Sequence, residues 1–134
     1  MERALADYLL NSVSITSLVG DRIYWTQLPQ GEERPYLLLS VVSSIPNVVF
    51  EGANGLVQSR VQFDCWGSTF YQAKDLARAI DTLLNGKRHI TSGTGAVAFE
   101  GFFLEAERDG HSDVDAPDDL FRTSLDFLIW HKGV

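Results

Sequence analysis

Few residues in this sequence have the types and spacing that chemistry requires. His89, His111 and His131 fall in three separate segments, and none has a second ligand at metal spacing on the same element, so each reads as an exposed loop or strand-end side chain. Asp113, Asp115, Asp118 and Asp119 are dense enough for a cation loop, but the stretch lacks the central glycine and terminal bidentate glutamate of the 12-residue calcium loop. It reads as solvated charge. Gly93 and Gly95 begin a phosphate-loop pattern, yet Ala98 stands where the third glycine belongs and a strand pattern follows instead of a helix. No serine sits in a Gly-x-Ser-x-Gly elbow, and the single cysteine, Cys65, alternates with Val61 and Phe63 as a buried strand residue. Glu105, Glu107 and Asp109 could serve a ligand pocket, although their alternation puts all three on the polar side of one strand. The expectation is therefore no enzyme, no catalytic residue, no metal and no cofactor.

Any such groups would be positioned by an ordinary α+β chain. Its 134 residues suit one domain, 1–134, and 45% hydrophobic with 22% charged residues gives no reason to expect extended disorder. Eighteen acidic against eleven basic side chains, a net charge of -7, disfavour a phosphate-gripping surface. One cysteine excludes an internal disulfide, and no leader-like or 18-residue apolar segment is visible, so the expectation is a protein made in the cytoplasm without a membrane anchor.

Leu5, Tyr8, Leu9 and Val13 predict a first helix over Glu2 to Ser12, with Ser17 to Asp21 a connector and Arg22 to Trp25 a short edge strand. Tyr36 to Ser43 is an apolar run that fits a covered strand. Ile45 to Leu56, with Pro46, Asn47, Gly52, Asn54 and Gly55, predicts a long hairpin loop. Ser59 to Trp66 alternates as a strand, and Thr69 with Gln72 forms a capping box opening a helix whose stripe is Ala73, Leu76, Ala77, Ile80, Leu83 and Leu84. Ala96 to Asp109 predicts a strand bent at Gly101, and Leu120 to His131 a final alternating strand. The order is α-β-β-β-α-β-β: a mostly antiparallel sheet with two helices packed on one face and a split β-α-β element.

The opposite face then carries Trp66, Leu128 and Trp130, and aromatics on a face with no helix to cover them point to a subunit interface. Arg60 placed opposite Asp126 also sets Asp64 opposite Arg122 and Val61 opposite Leu125, which predicts an antiparallel pair of strands in that register.

Pro35-Tyr36 opening an apolar strand, RVQFDCWG (Arg60 to Gly67) running into the helix, and RTSLDFLIWH (Arg122 to His131) closing the chain together resemble the phage tail-completion, or tail-terminator, family. The resemblance covers nearly the whole chain and rests on order and spacing more than on any single motif. It implies a virion structural protein at the head-proximal end of the tail, forming a hexameric ring that caps the tail tube, ends its polymerisation and joins the head connector. Its partners would be further copies of itself, the tube protein and the connector. DNA would pass through the lumen without specific binding, for which an acidic wall is suited. Within this reading the loop with Val48, Val49 and Phe50 would dock on the tube. The alternatives are a head-tail connector or minor tail subunit, and behind them a small ligand-binding domain or enzyme. Contractile and non-contractile tails are not distinguished.

Overall fold

A computed structural model describes residues 1–29, 31–49, 52–92, 97–111 and 120–132. Its elements are α1 (Glu2–Leu10), α2 (Val13–Val19), β1 (Ile23–Trp25), β2 (Tyr36–Val49), β3 (Gly52–Gly67), α3 (Phe70–Leu84), β4 (Ile90–Ser92), β5 (Val97–His111) and β6 (Phe121–Lys132). The strands form one six-stranded sheet in the order β1-β2-β3-β6-β5-β4. β1 runs parallel to β2, and every other neighbouring pair is antiparallel, so the sheet is mixed.

Two elements depart from the sequence expectation. The connector after α1 is largely the second helix, α2, which buries Ile15 and Val19. Its β-branched Val13, Ile15, Thr16 and Val19 disfavour helix locally, and burial against the core overrides them. The polar stretch after α3 holds β4, and the backbone there is fixed to β5: Gly86 N–H donates to Phe102 O at 2.8 Å and Phe102 N–H to Lys87 O at 3.1 Å.

α3 begins with the N-cap half of the expected capping box, while the reciprocal bond falls one residue early, on Ser68. Thr69 Oγ1 accepts from Gln72 N–H at 3.1 Å, and Gln72 Oε1 accepts from Ser68 N–H at 2.6 Å. Gly67 brings the end of β3 against this first turn, where a Cβ would stand 2.8 Å from Ala73 N. The helix buries Leu76, Ala77, Ile80 and Leu84 in one core with Val61, Phe63 and Cys65 of β3 and Leu125, Phe127 and Ile129 of β6, and Ala73 is buried as well. Leu5 and Leu9 of α1 complete the same core, so three helices, not two, share the sheet's inner face. With α3 and the short β4 leading from β3 to the parallel strand β5, and β6 between β3 and β5, a split β-α-β element is present with β4 added at the sheet edge.

The largest correction is the segment Ile45 to Leu56. Its described residues are strand: Ile45 faces Gln58, Pro46 faces Val57, and Val49 faces Gly52. Residues of poor strand propensity are held there by cross-strand pairing, with register shifts at Val41/Ser43 and Pro46/Val48 absorbing the misfit. Because β6 pairs with β3 only as far as Leu56, the hairpin beyond that point is a two-stranded arm. Phe50 lies outside the described residues; Val48 and Val49 belong to β2.

Candidate functional site

β3 and β6 are antiparallel neighbours as expected, but in a register displaced by two residues: Gln62 faces Asp126, Asp64 faces Ser124, and Trp66 faces Arg122. A shift of two keeps every side chain on its own face, so burial alone does not forbid either register. Exposed ion pairs are worth only tenths of a kcal/mol, and here the charges find partners on the next strand. Arg108 of β5 pairs with Asp126, and Arg60 reaches across to Glu105. In the adopted register Phe63 and Phe127 meet diagonally in the core, their rings tilted by 57° with centroids 5.1 Å apart.

A bulge explains how Glu105 reaches the outer, helix-free face. The register shift between Leu104 and Ala106 inserts Glu105 and separates it from Glu107 and Asp109. Those two face α3, where Lys74 Nζ lies 2.8 Å from Glu107 and 2.9 Å from Asp109, and Arg78 Nη1 lies 2.6 Å from Glu107. Arg78 first, then Lys74, hold the Glu107 carboxyl below the ordinary glutamate range; Lys74 does the same for Asp109. The three acids do not share one polar side, and the inner two tie helix to sheet.

The histidines also separate. His89 is exposed beside Glu100, with Nδ1 and Oε2 3.1 Å apart, and the His111 ring lies tilted against Phe121 with centroids 4.6 Å apart. His131 is not exposed: it is buried, with Nε2 2.9 Å from Ser59 Oγ, which in turn lies 2.9 Å from Ser44 Oγ. Ser59 and His131 are 1% and 2% exposed at the base of the arm, so the pair is closed to solvent. Burial raises the Cys65 thiol far above its ordinary range. No group of three metal-ligating side chains occurs among the described residues, and no described helix is long and apolar enough to cross a membrane.

The outer face has three zones. At one end Trp66 packs on Tyr36 (6.2 Å) and under the Arg122 guanidinium (5.6 Å). The middle is a polar lattice in which Asp64, only 7% exposed, accepts from Ser124 Oγ at 2.6 Å and from Gln62 Nε2 at 2.9 Å. At the other end Leu128 and Trp130 lie beside Phe103. Trp130 and Phe103, with Leu56 and Gly101, line a cavity of about 380 Å³. Arg88, His89, Glu100 and Lys132 complete its wall. The three aromatic and aliphatic interface candidates are thus half-buried and fall into two patches: Leu128 with Trp130, and Trp66 about 25 Å away along β6, at eight strand steps. Phe103 belongs with the first patch and was missed, because the bulge after Phe99 that sets its facing does not show in the alternation.

The profile of the tail completion protein gp17 family matches residues 3–132. The chain belongs to that family. It is a phage structural tail protein, a component of the virion. No curated protein sequence matches it. Among solved structures, a chain from the virion of a native gene transfer agent particle aligns with a TM-score of 0.71 at 18% identity, covering 99% of this chain and 95% of its own. That likeness shows the fold. A second solved chain aligns at 16% identity and a TM-score of 0.48 over 96% of this chain and 89% of its own.

Proposed function

We propose that this tail protein is the subunit of a ring that caps the tail tube, ends its polymerisation and offers the head connector a surface. The observation that carries the reading is the apolar patch of Phe103, Leu128 and Trp130 on a sheet face that no described helix covers, in a chain of the tail-completion family. Large half-buried aromatics at the edge of a polar lattice suit a subunit contact, which excludes water from the apolar patch while its rim stays wet. Trp66 supplies a second contact on the same face. The arm of β2 and β3, whose β2 strand ends at Val48 and Val49, extends past the end of β6 to meet the tube. A lumen wall rich in carboxylates lets DNA slide past without gripping it.

Electron microscopy of particles lacking the protein tests the role. Tails of uncontrolled length identify a terminator, whereas normal-length tails beside unattached heads identify a connector. Mass photometry of the purified chain at micromolar concentration, alone and with tube protein, tests the ring.

A further inference from the structure

We infer that the cavity beside Trp130 receives the acidic segment 112–119 of a neighbouring copy, so that each subunit holds the next head to tail. The inference rests on the ring reading and names the contact that would build it. The cavity has an apolar lining from Trp130, Phe103 and Leu56, and its cationic members are Arg88 and Lys132. Both are exposed, and neither makes an ion pair or side-chain hydrogen bond with a described residue, whereas Glu100 in the same wall is engaged by His89. Two uncommitted cations around an aromatic pocket call for an occupant that is anionic and partly apolar.

The chain itself carries such an occupant. The segment SDVDAPDD places four aspartates, Asp113, Asp115, Asp118 and Asp119, around Val114, Ala116 and Pro117. In a chain of net charge -7, a surface recess edged by unpaired cations is a local reversal of sign, and complementary potentials of this kind select and orient partners.

Geometry rules out the same molecule. Segment 112–119 joins His111 of β5 to Leu120 before β6, at the opposite end of β6 from Trp130 and Lys132. Nine strand steps separate Phe121 from Trp130, about 25–30 Å. A stretch of eight residues tethered at both ends reaches only about 15 Å from its anchors. The partner must be a second copy, and the contact joins unlike ends of β6, which makes it heterologous. Contacts of that type close into rings when the rotation between copies allows.

The test titrates a labelled synthetic peptide of residues 111–120 into the full-length chain, read by fluorescence anisotropy, alongside mass photometry of the chain. The expected result is saturable binding that weakens about tenfold between 50 and 500 mM salt and at least about tenfold in the Arg88→Glu, Lys132→Glu double variant. A peptide with the four aspartates changed to asparagine should not bind. Circular dichroism confirms that the variant, altered only at exposed positions, is folded. Absence of saturable binding, or equal binding by the variant, overturns the inference. Rings that form equally well in the double variant overturn it too, while leaving the ring reading intact. A chain that stays monomeric even with tube protein overturns both the contact between copies and the ring reading, whatever the free peptide does.

Discussion

Ser124 Oγ donates a 2.6 Å hydrogen bond to Asp64 Oδ1 across β3 and β6, and both residues are buried on the face that has no helix. Buried carboxylates need donors, and Gln62 is the other one shown. Ser124→Ala should lower stability by about 1–3 kcal/mol, the cost of leaving a buried acceptor short of a partner. Urea unfolding should show a lower midpoint at unchanged slope. A loss under about 0.5 kcal/mol would mean that water replaces the hydroxyl.

Trp130→Ala should leave the monomer folded and weaken assembly. Trp130 is only half-buried in the single chain and gains cover on association. Full cover of a large apolar side chain is worth about 1.5–3 kcal/mol, which corresponds to roughly a ten- to hundredfold weaker contact. Circular dichroism and mass photometry read the two halves of the prediction. Collapse of the monomer would assign Trp130 to the intramolecular core.

Acid should loosen α3 from β5. Glu107 and Asp109 have carboxyls held below their ordinary values, so their stabilising contribution is present above the ordinary carboxylate range and is lost as pH falls through the depressed values. Lys74 is shifted upward, chiefly by its hydrogen bond to Glu107, so its contribution holds until strongly alkaline pH. Melting temperature followed from pH 7 to pH 3 should fall in the native protein, and fall less steeply in Glu107→Gln. Parallel curves for the two would show that the network does not couple to folding.

Shortening the arm should separate folding from docking. Replacing residues 47–56 with a two-residue Asn-Gly turn, flanked by the paired Pro46 and Val57, shortens the arm and leaves the β3–β6 ladder from Val57 onward in place. The variant should match the native melting temperature within a few degrees yet fail to stop tube growth in a polymerisation assay with tube protein. Normal capping by the shortened chain would exclude the arm as the docking element.

Much of this architecture could be read from residue periodicity. The N-cap at Thr69, the stripe from Ala73 to Leu84, an irregularity of the strand beside Gly101 and the adjacency of β3 and β6 all stand, because each is a local pattern or a direct result of having one buried face. The two-residue register error arose where the inner-face pattern is degenerate and was decided by charges that look beyond the pair, to Arg108 and Glu105. α2 and the outer half of the hairpin were missed because tertiary contacts overrule weak local propensity there. Of the surface residues, Leu128 and Trp130 were legible as outward-facing, whereas the cavity beside them joins residues from four separate stretches of chain. Single-sequence periodicity carries no signal for that juxtaposition.

β1 covers β2 only over Leu37 to Leu39, so from Ser40 outward this edge of the sheet meets no described strand. An uncovered edge is a template onto which any extended chain can add, and a particle built from many copies of its parts is crowded with such chains. Here the template is spoiled at two places: Pro46 lacks an amide donor, and shifts at Val41/Ser43 and Pro46/Val48 break the spacing that an incoming strand would have to match. Indiscriminate strand addition is thereby discouraged, and recognition is left to side chains, which can tell one neighbour from another where a bare backbone cannot.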